Sequence, residues 1–95
     1  MDKQYYIVRT TNAGVFFGQI KERSHDEVVM TNVRKVWYWD GACAVEQLAV
    51  DGTSRPDNCK LTVIVPEMII ADPIQVILCT DKAAESLNGV KIWRK

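Results

Sequence analysis

The chain has little of what usually announces a chemistry. A single histidine stands among its 95 residues, and the cysteines number three, Cys43, Cys59 and Cys79, widely spaced. There is no Cys-x-x-Cys pair, and one imidazole does not complete a usual zinc set, so no metal and no cofactor are expected. A secreted disulfide framework normally shows an even cysteine count, so three reduced thiols in a reducing compartment are the expectation. Charge of one sign is also missing: 12 Lys and Arg balance 12 Asp and Glu, for a net charge of +0. Bulk electrostatic binding to nucleic acid is excluded, and only a local cationic patch remains open. No apolar run approaches the ~20 residues of a membrane span, the longest being broken at Pro66-Glu67. Met1 to Tyr6 has no basic leader and no apolar core, so no secretory signal is expected.

The five glycines, Gly14, Gly18, Gly41, Gly52 and Gly89, are isolated turn formers, and none builds a phosphate loop. Cys43 lies near an expected helix start, where a thiol is activated. Its one conceivable partner, His25, sits beside Asp26 in a polar loop without any local catalytic signature. No catalytic residue is assigned, and the chain reads as a non-enzyme.

What is present describes a folded chain. Hydrophobic residues make up 47% and charged residues 25% of the sequence, which excludes a disordered tail. Surface scaling for this size buries about 65% of the extended chain, enough for one small core, so residues 1–95 read as a single domain. Tyr5 to Thr10 and Val15 to Lys21 are β-branched and aromatic around the turn at Thr11 to Gly14, which predicts a hairpin. Gly18 inside its second strand predicts a bend or bulge. Glu27 to Trp39 predicts one long strand, or two hinged near Thr31-Asn32. Alternation assigns Val29, Val33, Trp37 and Trp39 to one side of it and Val28, Met30, Val36 and Tyr38 to the other.

Asp40 is the expected N-cap of a short helix over Ala42 to Ala49, stopped by Asp51-Gly52. Lys60 to Val65 is expected as a strand with Leu61, Val63 and Val65 inward. Pro66-Glu67 interrupts it, Met68 to Ile70 resumes it, and Ile74 to Cys79 follows the Asp72-Pro73 turn. Thr80 caps a second helix over Asp81 to Leu87, which Asn88-Gly89 ends in the left-handed conformation, and Val90 to Trp93 closes the chain as a strand. Short strands with tight turns predict a mainly β, α+β domain: a small, strongly bent antiparallel sheet or an SH3/Sm-like barrel with two short helices.

The segment Asn32-Val33-Arg34-Lys35-Val36-Trp37-Tyr38-Trp39 packs two cations and three large aromatics into eight residues. Alternation places Lys35, Trp37 and Trp39 on one face, with Arg34 and Tyr38 on the other. Two readings stand. In one, the tryptophans are core or subunit-interface residues and the cations are solvated. In the other, the rings stack on a base while Arg34 and Lys35 hold phosphate. Arg9, Arg55, Lys60 and Arg94 are further candidates for a local positive site, Arg55 because Pro56 restrains the loop that carries it. The candidate ligand residues are therefore Arg34, Lys35, Trp37, Tyr38, Trp39, Arg55 and Arg9.

Several runs together resemble a small family of uncharacterised proteins encoded by tailed bacteriophages and prophages. They are Tyr6 to Thr10, Ala13 to Gly18, Asn32 to Ala42, Gln47 to Ala49, Cys59 to Val63, Ile77 to Thr80 and Val90 to Trp93. The most specific portion is the Arg34-Lys35-x-Trp37-Tyr38-Trp39-x-Gly41-Ala42 motif. Members often carry two arginines where this chain has Arg34-Lys35, and lysine lacks the bidentate fork. The resemblance implies a phage accessory protein in the host bacterial cytoplasm. It is compatible with a homo-oligomer that sequesters a nucleotide-type immune signal at a site between subunits. A single-stranded nucleic-acid or host-protein binding module is one alternative, and a phage structural or assembly component is another. No membrane partner is expected.

Overall fold

Two pairs of adjacent apolar residues, Ile7-Val8 and Phe16-Phe17, point to opposite sides of extended backbone and so require cover on both faces of one sheet. The computed structural model, which describes residues 4–94, meets that requirement with two separate cores. The strands are β1 (Tyr6–Thr10), β2 (Val15–Arg23), β3 (Glu27–Tyr38), β4 (Lys60–Leu61), β5 (Val65–Ala71) and β6 (Pro73–Leu78); the helices are α1 (Val45–Asp51) and α2 (Asp81–Asn88). Strands run in the order β4-β3-β2-β1-β6, every pairing antiparallel, with β5 also on β3. One edge of β3 thus serves two neighbours, β5 along its first half and β4 along its last residues. The sheet bends strongly but stays open, because β5 and β6 meet at Asp72 (φ 53°) without pairing to each other.

Ile7, Phe17 and Val36 face the helices and form one core with Leu48, Ala49, Leu61, Ala83, Leu87 and Val90. Val8, Phe16, Val28, Met30, Val33 and Ile70 fill the inside of the bend. Each fully buried Leu, Ile or Phe contributes about 1.5–3 kcal/mol, so both cores matter to a domain of this size.

A bend or bulge is expected at Gly18; the β2–β3 register does slip between Phe17 and Gln19, but the extra residue is on β3, where Asn32 and Val33 stand opposite Gly18. A Cβ at Gly18 would lie 2.8 Å from Val33 Cα, so glycine lets the two strands approach there. The predicted hinge at Asn32 is a left-handed residue (φ 47°) within one continuous strand. It corrects the simple alternation. The extra residue returns Val33 to the face of Val28 and Met30 and sends Arg34 and Val36 to the helix side.

Other expectations are corrected as well. Helix α1 starts at Val45, and its N-cap, Ala44, makes no side-chain capping bond. Asp40 instead accepts from Gly41 N at 2.7 Å and from Asn58 Nδ2 at 3.1 Å. Pro66-Glu67 lies inside β5 rather than interrupting it, because an edge strand tolerates a missing N–H. Val63 is exposed, not inward. Gly89 has φ −80°, so α2 does not end in the left-handed region. The closing segment makes only an isolated parallel bridge, Ile92 to Leu61. The Thr80 cap is as expected, its hydroxyl accepting from Ala83 N at 3.0 Å.

Candidate functional site

The aromatic segment at the end of β3 is divided by the fold. Between Val36 and Tyr38 the pairing with β4 slips by a residue, and Trp37 sits at that irregularity, 55% exposed. Bulges commonly re-aim a side chain in this way. Tyr38 is also exposed, while Trp39 turns back, packs against the helix-side core and donates its indole N–H to Ala42 O at 3.3 Å.

Trp37 has a partner from near the C-terminus. The Trp93 ring stacks on it with centroids 4.9 Å apart and planes 29° apart, and Trp93 is itself 38% exposed. The Lys60 ammonium lies 5.2 Å from the Trp37 centroid and 5.4 Å from that of Trp93, within cation–π range of both. Beside the pair opens a shallow recess of about 360 Å³ lined by Tyr38, Asp57, Asn58, Cys59, Lys60 and Trp93.

The remaining candidates are distributed around this surface. Arg55 reaches Asp40 Oδ2 at 3.6 Å, and Asn58 of the recess donates to the same oxygen, so Arg55 stands one ion pair behind the rim. The hydrogen bonds from Asn58 and Gly41, with Arg55 adding its charge, hold the Asp40 carboxyl below its ordinary range. Lys35 is half-buried, its stem beside the Gly14 turn. Arg9 lies on β1, where Nη1 donates to Gln75 Oε1 at 3.0 Å, and Gln75 in turn donates to Glu46 at 3.1 Å. That chain ties β1, β6 and α1 together and has no contact with the tryptophan pair.

Arg34 is inside the protein, 2% exposed. Its donors go to backbone carbonyls: Thr62 O at 2.9 Å, Leu87 O at 3.0 Å, Lys91 O at 3.2 Å and Leu61 O at 3.4 Å. Burial pulls its pKa below the usual arginine value. The guanidinium is thus engaged by the fold beneath the aromatic surface and is not presented on it.

The structure therefore brings together Trp37 and Tyr38, with Arg55 nearby, and separates them from Arg34, Lys35, Trp39 and Arg9. The sequence places Trp93 only in a closing strand and not among the candidate ligand residues; its setting between Lys91-Ile92 and Arg94 repeats the mixture of aromatic and cation that marks β3. Among the described residues, no three His, Cys, Asp or Glu side chains form a group suited to a metal ion, and no helix is long and apolar enough to cross a membrane.

No curated protein and no solved structure matches the chain. A family model does match, over residues 3–87, a span that includes Trp37, Tyr38 and Lys60 and stops short of Trp93. By that match, the chain belongs to the family described as Domain of unknown function (DUF6948).

Proposed function

We propose that this protein is a non-enzymatic binder that takes a flat-ringed, phosphate-bearing ligand, a nucleotide, on the Trp37–Trp93 surface. The observation that carries the reading is the stacked pair itself. Two large rings from distant parts of the chain are held together at the surface, with one ammonium beside both. Tryptophans that serve only the core are buried more completely. Base stacking contributes ~1–3 kcal/mol per base and one exposed charge pair about 1 kcal/mol, so a single subunit supports binding only around the millimolar range. The open recess suits a base or a short ligand rather than a fully enclosed one.

Tyr38 and Ile92, the sequence neighbours of the two tryptophans, are also exposed. This favours closure of the surface by a second copy, so that the site lies between subunits of a homo-oligomer. The resemblance to phage-encoded proteins carrying the same Trp-Tyr-Trp motif supports a setting as a phage accessory protein that sequesters a nucleotide signal of host immunity. Single-stranded nucleic acid is the second reading, because successive bases also stack on exposed aromatics.

Tryptophan fluorescence titrations with a nucleoside monophosphate, a cyclic dinucleotide and a short oligothymidylate test the proposal. The expected result is saturable quenching by a nucleotide, lost in Trp37→Ala and weakened in Lys60→Ala, with a shallow salt dependence. A steep salt slope with preference for the oligomer favours the nucleic-acid reading. Absence of quenching by all three refutes both. Native mass spectrometry of protein from infected cells then reads subunit number and retained ligand together.

A further inference from the structure

Arg34 is the largest fully buried side chain among the described residues, and no carboxylate pairs with it there. A buried cation without a counter-charge is costly, and an apolar side chain of similar volume would fill the space without that cost. Its hydrogen bonds show what the cation achieves. The acceptors come from three stretches that are distant in sequence: Leu61 and Thr62 at β4, Leu87 in the last turn of α2, and Lys91 in the segment after that helix. Leu87 O belongs to the carbonyl end of a helix, where a cation is favoured.

That last segment has little else to hold it. Beyond the buried Val90 it makes one isolated bridge, and Trp93 N donates to Leu61 O at 2.8 Å. Leu61 O is also an acceptor for Arg34 Nη2, so Arg34 and the Trp93 backbone converge on one carbonyl. The ring placed by that carbonyl is the one that stacks on Trp37, three positions along β3 from Arg34.

We propose that Arg34 is the positioning residue of the aromatic surface: one guanidinium clamps β4, the end of α2 and the C-terminal segment, and thereby fixes Trp93 against Trp37. The proposal rests on reading that pair as the ligand surface, but the stack can be measured without ligand. Indoles this close couple their transitions and give an exciton couplet in circular dichroism, which Trp37→Phe assigns by abolishing it. Arg34→Met and Arg34→Lys should lose most of the couplet at temperatures where the sheet signal is intact. Ile70→Val, a change in the other core that lowers stability, should keep it. Affinity for AMP should fall roughly tenfold in the Arg34 variants, as expected when one stacking face is displaced.

A full-amplitude couplet in either folded Arg34 variant overturns the proposal. If both variants fail to fold, hydrogen exchange on the unaltered protein decides. Protection of the Trp93 amide and of Arg34 Nε–H should be lost together on warming; a Trp93 amide that exchanges freely while Arg34 Nε–H stays protected overturns it. If AMP does not bind the unaltered protein, the ligand reading falls, and the couplet comparison still decides the role of Arg34.

Discussion

Gly52 and Gly89 look equivalent in the sequence, each following an acidic or amide residue at the end of a short helix, yet substitution should separate them sharply. Gly52 has φ 74° and ψ −156°, a region open essentially to glycine alone. A side chain there stores about 1–3 kcal/mol of backbone strain. A Cβ would also fall inside van der Waals contact with Ser86 Cβ and 2.5 Å from Ser86 Oγ. Helix α2 cannot retreat freely, because Ala83 and Leu87 pack against Leu48 and Ala49 of α1. Overpacking of this kind costs about 1–3 kcal/mol, and the lost freedom of the unfolded chain returns only about 0.4–1 kcal/mol. Gly52→Ala should therefore destabilise by about 3 kcal/mol, which for a domain of this length lowers Tm by roughly 12–24 °C. Gly89, at φ −80°, ψ −10°, would place its Cβ 3.4 Å from the Glu85 and Ser86 carbonyls, an ordinary contact. Gly89→Ala should be neutral or stabilise by up to ~1 kcal/mol. Urea unfolding followed by circular dichroism, with m-values compared, gives both numbers. Gly52→Ala within ~1 kcal/mol of the parent protein, or a Gly89→Ala of equal cost, would refute the reasoning. Adding Ser86→Gly to Gly52→Ala should recover the steric part and leave the backbone strain.

Three further expectations concern single groups. Thr80 caps α2 and also donates to Val50 O at 2.6 Å; Thr80→Ala should cost ~1 kcal/mol in urea unfolding, and an unchanged midpoint would show that the cap is idle. Cys43 is exposed, whereas burial pushes the Cys79 thiol up to about 12. A maleimide at neutral pH should therefore modify Cys43 rapidly and Cys79 only on unfolding; equal rates would contradict the buried placement. The folded Asp40 carboxyl titrates below its ordinary 3.8, so its contribution is present above that pH and is lost as pH falls through the lower, folded value. The stability difference between the parent and Asp40→Asn should accordingly vanish on acidification; a difference that persists in acid would assign it to packing.

Much of the architecture is legible in residue order because it depends on near neighbours. Turn residues at Thr11 to Gly14, the glycine in β2 and the Thr80 cap act within a few positions, and each lies where its local chemistry calls for it. The adjacent apolar pairs Ile7-Val8 and Phe16-Phe17 imply a sheet covered on both sides, and the frequent turn residues imply short elements. Parity along β3 was not legible. A single left-handed residue, Asn32, exchanges the faces of Val33 to Val36, a second slip at Trp37 follows, and asparagine in a strand does not announce whether it will be left-handed.

The candidate site divides along the same line. The aromatic-cationic character of residues 34–39 is a property of the chain itself, as are its neutral charge and the scarcity of ligating side chains. Which aromatics reach solvent, which cation is buried, and the meeting of Trp37 with Trp93 were decided only in three dimensions. The burial of Arg34 and the Trp37–Trp93 pair depend on contacts between residues 27 to 57 positions apart. The carbonyls that receive Arg34 belong to Leu61, Thr62, Leu87 and Lys91, and no local pattern around position 34 encodes them. Burial of a charge becomes tolerable only where distant backbone converges to solvate it, and that convergence exists only once β4, α2 and the C-terminal segment have packed together.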